Sequence, residues 1–191
     1  MGLSLITAPA SEPVTLAEAK LWCKVDSSDD DALITSLIKH ARQRAEAIMQ
    51  TAIITQRWEQ TLDAFPTAEI RLRRPPVTAI ASVVYVDAAG ATQTLISTSY
   101  TLDNATFPGW LLPAYGVSWP TTRDQANAVR IQFDTGYANA AAVPEPIRTW
   151  MQLTISFLYD NRDAFVVGQR ISEVPNRYVD GMLDAYSVFE F

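Results

Sequence analysis

The hydrophobic period of this chain changes twice, and that constrains its fold more than any single motif. From Asp30 to Gln50 the apolar residues Leu33, Ile34, Leu37, Ile38, Ala41, Ala45, Ile48 and Met49 recur at helical spacing, with Lys39, Arg42, Gln43 and Glu46 falling mostly elsewhere. After Thr51 the period drops to two. Ile54, Gln56, Trp58, Gln60 and Leu62 share one side of an extended strand, and Ile70 and Leu72 alternate with Glu69, Arg71 and Arg73. From Pro144 the helical period returns. The pattern predicts an α+β chain in three parts: a helical part over 1–52, a strand-rich insert over 53–140 that forms a small antiparallel β domain, and C-terminal helices with a tail over 141–191 that pack with 1–52.

Local signals mark the ends of these elements. Thr15 followed three residues later by Glu18 reads as a capping box opening a short helix over 16–24. The run Asp26, Asp29, Asp30 and Asp31 breaks that helix and caps the next, where its charges face free N–H groups. Pro75-Pro76 ends a strand because proline cannot donate to a ladder. Residues 82–87 and 92–96 read as a hairpin around Ala88-Ala89-Gly90, and Val129–Asp134 alternates as a half-buried strand does. Residues 101–122, rich in proline and aromatics, read as loop with one or two short strands. The segment Ile147, Trp150, Met151, Leu153, Ile155, Phe157, Leu158 and Tyr159 predicts a helix apolar nearly all round, which its own chain or a neighbouring subunit must cover. Residues 162–172 read as a loop, and a short terminal helix is expected over 177–185.

The residues offer little chemistry. His40 is the one histidine and Cys23 the one cysteine, so no disulfide or ordinary zinc set can form. His40 reads as a helix-surface histidine and Cys23 as a small buried hydrophobe. Neither phosphate-loop pattern occurs, and Asp29–Asp31 lack the spacing of a calcium loop. No cofactor and no metal site are expected. A net charge of −6 argues against a dedicated nucleic-acid binder and against docking on an anionic membrane. Met1–Ala10 lacks the pattern of a signal peptide, and no stretch has the length of a membrane span, so a soluble cytoplasmic protein is expected. Two other readings stay open. Trp110, Tyr115 and Trp119 suit a carbohydrate- or peptide-binding module, and Asp29–Asp31 with a metal would suit a hydrolase, though no second ligand cluster accompanies them.

The order of short patterns resembles that of the head–tail connector, or adaptor, family of long-tailed phages, prophages and gene-transfer-agent particles. Val14-Thr15-Leu16-Ala17-Glu18-Ala19-Lys20 and Asp29–Ile34 are similar to its opening helix pair. Arg44-Ala45-Glu46 and then Gln56-Arg57-Trp58 are similar to its next helix and the aromatic strand that follows, Leu72-Arg73-Arg74-Pro75-Pro76-Val77 to its strand-ending Pro-Pro-Val, and Tyr100–Asp103, Trp119-Pro120 and Gly136-Tyr137 with Val143-Pro144 fit its strand section. Leu158-Tyr159-Asp160-Asn161-Arg162 and Leu183-Asp184-Ala185-Tyr186 match its closing helices, while the acidic, apolar end Ser187–Phe191 departs from its usual basic residue. The match runs from about residue 13 to 186. It implies a structural, non-enzymatic virion protein, made in the host cytoplasm and placed in the virion neck. There it forms a ring, usually of twelve copies, below the portal, extending the DNA channel and joining head to tail. Its partners would be copies of itself, the portal protein, and tail-side connector or terminator proteins. DNA would pass without specific binding, since twelve copies carry roughly 70 negative charges. Within that reading Tyr178, Met182, Leu183, Tyr186, Phe189 and Phe191 are expected to dock on the portal. Trp150, Phe157, Tyr159, Arg71 and Arg73 are expected at the subunit interface.

Overall fold

A computed structural model describes residues 2–161 and 177–188. The fold is mixed α+β, with two antiparallel sheets. The chain forms two compact units, one of residues 1–10 with 55–137 and the other of 11–54 with 138–191.

In the strand unit, β1 (Gly2–Thr7), β2 (Gln56–Leu62), β4 (Val77–Val86), β5 (Thr92–Thr94) and β8 (Val129–Thr135) form one sheet in the order β1-β2-β8-β4-β5. The short strands β3 (Ile70–Arg71), β6 (Tyr100–Asp103) and β7 (Trp110–Pro113) form a second, in the order β3-β7-β6. β8 is central because it alternates cleanly: Val129, Ile131, Phe133 and Thr135 are buried, while Arg130, Gln132 and Asp134 point to the other side. Their apolar face meets Leu62, Ile70, Leu72, Val77, Val83 and Leu111 in one core drawn from both sheets. The buried Gln60 ties the sheets together. Its Nε2 donates to the Arg71 carbonyl at 2.9 Å and its Oε1 accepts from the Arg73 N–H at 3.1 Å. The hairpin between β4 and β5 turns at Gly90, whose φ of 91° favours glycine, and the Asp87 carboxylate caps the turn by accepting from the Ala89 and Ala91 N–H groups. Gly2–Thr7, expected within a helical part, is instead the outermost strand, antiparallel to β2. At six residues it was too short to show a period.

The helical unit is built on α1 (Leu16–Cys23), α2 (Asp31–Met49) and α3 (Glu145–Asp160), with α1 and α2 each packed on α3. α2 buries Ile34, Ile38, Ala41, Ala45 and Met49, a single stripe at i, i+4, i+7, i+11 and i+15. α1 starts with the capping box, Thr15 accepting from the Glu18 N–H and Glu18 accepting from the Thr15 N–H at 2.7 Å. The acidic run behaves differently from a cap. Asp30 holds the N-cap position at ψ 9° and makes no side-chain cap bond. An extended N-cap would turn its carboxylate back over the helix; this one instead accepts from the Tyr159 hydroxyl at 2.5 Å. Asp31 takes the Lys20 ammonium at 2.7 Å. The acids therefore join α2 to α3 and α1.

α3 is covered on part of its surface. Ile147, Trp150, Met151 and Ile155 are buried, but Leu153, Phe157 and Leu158 are only half-buried, so one side is left uncovered by the described residues. The terminal helix is shorter than 177–185. α4 (Arg177–Asp180) gives way at Gly181, the poorest helix former here, to tight turns and a 3-10 turn over Asp184–Tyr186. Leu183 is nevertheless fully buried, and the Val188 N–H donates to the Met49 carbonyl at 2.9 Å. Among the described residues no helix is long and apolar enough to cross a membrane.

Candidate functional site

The helical unit carries a groove of about 430 Å³, lined on its apolar side by Trp22, Leu153, Phe157 and Val179 and on its polar side by His40, Arg44 and Asp160. Its origin lies in α1 and α3. α1 turns Ala19 and Cys23 inward at i, i+4 spacing, which forces the adjacent Leu21 and Trp22 outward, 79% and 40% exposed. The Thr154 hydroxyl at the groove is buried, and among the described residues it has no hydrogen-bond partner. Two neighbouring large apolar residues on a short helix, of which only one side can face a core, were the signal for this surface in the sequence.

Ion pairs add to the apolar core of this unit. The Arg42 guanidinium, buried on α2, bonds Glu12 at 2.7 Å and Glu46 at 2.9 Å. Burial works against that charge, but the hydrogen bonds and the charges of the two carboxylates outweigh it and raise the guanidinium above its ordinary value. Glu46 also accepts from the Ile53 N–H at 3.0 Å, fixing the exit from α2. Glu18 receives Arg148 as well as its own capping bonds. The Thr15 backbone N–H chiefly, with Arg148, holds its carboxyl below the usual value despite some burial.

The expected site residues fall into distinct environments. Trp150 is completely buried in its own unit and its indole N–H donates to Asp180 at 3.1 Å, so it stands in the core and not on a surface. The apolar pattern that suggested an interface was a core pattern. Leu183 is likewise committed to the interior, whereas Met182 and Tyr186 are half-buried. Phe189, Phe191, the side chain of Tyr178 and the loop 162–172 lie outside the described residues. Phe157 lines the groove, and Tyr159 is half-buried with its hydroxyl on Asp30. Arg71 and Arg73 belong to the strand unit, where Arg73 is exposed and Arg71 half-buried.

The three aromatics do not share a platform. Leu111 is in the core, so its neighbour Trp110 faces the other side of the small sheet. Trp119 packs against the core, its ring stacked on Phe65 at 4.9 Å and its N–H on the Ala68 carbonyl. Tyr115 stands fully exposed on a separate turn. Of the chemical candidates, His40 is an exposed groove residue, and burial first, then Asp160, pushes the Cys23 thiol up, away from the reactive thiolate. Among the described residues no group of three or more His, Cys, Asp or Glu side chains is arranged to hold a metal ion.

Residues 13–105 match the family of phage gp6-like head-tail connector proteins, the family that the order of motifs resembles. No curated protein matches it. Similar solved structures include a chain in the neck of an empty gene transfer agent (GTA) particle computed with C6 symmetry, with a TM-score of 0.81 at 20% identity. Another is in the virion of the native GTA particle, with a TM-score of 0.79 at 20% identity. A third is in the native GTA neck computed with C12 symmetry, with a TM-score of 0.76 at 20% identity. In each case all of this chain and 97% of the other are covered, so the whole fold is that of these chains.

Proposed function

We propose that this chain is a structural head–tail connector subunit, which forms a ring below the portal, extends the DNA channel and joins head to tail. The observation that carries the reading is the connector family match over 13–105, set within a fold shared end to end with chains of GTA particles and their necks. Its work is mechanical and not catalytic: copies hold each other and their neighbours, while a net charge of −6 per subunit keeps DNA from adhering. Phe157, Leu153 and Trp22 supply apolar surface for a neighbouring copy, with Arg71 and Arg73 meeting carboxylates. The C-terminal segment, with Met182, Tyr186, Phe189 and Phe191, docks on the portal.

Particles assembled without this chain should accumulate as separate heads and tails; normal joining in its absence would overturn the reading. Portal docking has its own test. Removing residues 173–191 would strip Leu183 from the core and Asp180 from Trp150, so truncation confuses docking with folding. Replacing Phe189 and Phe191 together by alanine spares those contacts. The variant should fold normally and fail to stay on portal-bearing heads, and retention at the wild-type level would remove the docking role.

A further inference from the structure

The two edges of the five-stranded sheet are unlike. β5 is three residues long, all polar, and tied back by Gln93 Nε2 donating to Asp87 at 2.9 Å, so it offers little to a passing strand. β1, at the opposite edge, is six residues long and contains neither a charged residue nor proline. Natural sheets protect free edges with just those devices, or with bulges. The register shift of β1 comes only after Leu5, which leaves Gly2–Leu5 in regular pairing with β2 and, among the described residues, their outward backbone groups without a partner strand. The apolar side of the strand is also unfinished. Leu3 packs on the core, but Leu5, two residues further along the same side, is 45% exposed, and Ile6 at the bulge is 48% exposed.

We propose that the outer edge of β1 is a strand-addition site for an extended segment of a different protein, one bearing apolar side chains at alternate positions. Backbone N–H and C=O groups would supply the pairing, and an apolar side chain beside Leu5 would complete the core face. A second copy of this chain fits poorly. Among the described residues its other free edges, β3, β5 and β6, offer two, three and four residues. Pairing β1 with β1 needs a two-fold axis, which neighbours in a head-to-tail ring do not have. The inference rests on the connector reading only for where the partner is met, in the assembled particle.

Hydrogen exchange of Gly2–Thr7 tests it, measured in the isolated protein, in the protein concentrated until it self-associates, and in assembled particles. The outward amides should exchange freely in the first two and be protected in the third. Protection on self-association alone would assign the edge to a second copy, and no added protection in particles would leave it unused; either result overturns the proposal. Leu5→Lys places a charge on the edge. It should leave the melting temperature and the number of copies retained per head unchanged, while lowering the yield of joined particles about tenfold or more. Unchanged joining by this variant, where particles lacking the chain do not join, would sink the edge proposal and leave the connector reading standing. Joining without the chain would sink the connector reading.

Discussion

Both units of this chain have apolar cores, but the polar contacts built around those cores differ. The strand unit packs Phe133 among aliphatic side chains and joins its two sheets through the neutral amide of Gln60. The helical unit buries Ile34, Ile38, Trp150, Met151 and Ile155 and adds ion pairs: Arg42 with Glu12 and Glu46, Arg148 with Glu18, Lys20 with Asp31. Apolar contacts carry no charge for moderate salt to screen or for protons to titrate, whereas ion pairs respond to both. Acid and ionic strength should therefore act on the unit that bears the groove, and hardly on the unit that bears the open strand edge.

The largest effect that sharpens this contrast is Arg42→Ala. It leaves two carboxylates facing each other with no cation, and breaking a buried ion pair from one side costs about 3–5 kcal/mol. Chemical denaturation should show that loss, and Arg42→Lys should restore only part of it, because an ammonium cannot reproduce the forked contact to Glu12. In the strand unit the matching test is Gln60→Leu. The side chain keeps its bulk, but the Arg71 carbonyl and Arg73 N–H lose their buried partners, at about 1–3 kcal/mol. That loss should be the same in low and high salt. A clear salt dependence would mean that the contrast between the units is not one of charge.

How much of this was legible in the sequence follows the same division. Periodicity found α2 and β8 because a long amphipathic element repeats its pattern many times, and the capping box of α1 needed only Thr15 and Glu18. The connector relation was legible as an order of short motifs. The site was harder. Trp150 and Leu183 were expected on interfaces, yet apolar pattern alone does not say whether a face meets its own chain or another. Asp30 at an N-cap position looked like a cap; its backbone angle, which sequence does not carry, sends it to Tyr159 instead. The edge of β1 was missed because Gly2–Thr7 repeats no period long enough to declare a strand, and only its pairing with β2 makes it an edge.

A smaller effect concerns acid. Thr15→Ala removes the hydroxyl that caps α1 and should cost about 1 kcal/mol. Its partner Glu18 supplies the pH dependence. The carboxyl is held below its ordinary value of 4.5, so its contribution is complete above that value and fades as pH falls through the lowered one. Stability of the helical unit should decline in acid below about pH 4.5, and Glu18→Gln should flatten the decline. An acid limb equally steep in the variant would place the acid sensitivity elsewhere.

The smallest expected effect is the one that bears hardest on the comparison, because it concerns an ion pair in the strand unit. Arg57 on β2 and Asp134 on β8 are directly opposed in register, and the guanidinium meets the carboxylate in two bonds of 2.7 and 2.9 Å. Hydrogen bonding to Asp134, and then its charge, raise Arg57 above its ordinary value. Both side chains face solvent, however, where water and salt weaken the attraction within a Debye length of about 10 Å. A double-mutant cycle with Arg57→Ala and Asp134→Ala should find a coupling smaller than the effect of any substitution above, and added salt should erase it. If the coupling instead rivalled that of Arg42 with Glu46 and survived salt, charge would be a structural device in both units. The distinction between them would then rest on the amount of apolar surface alone.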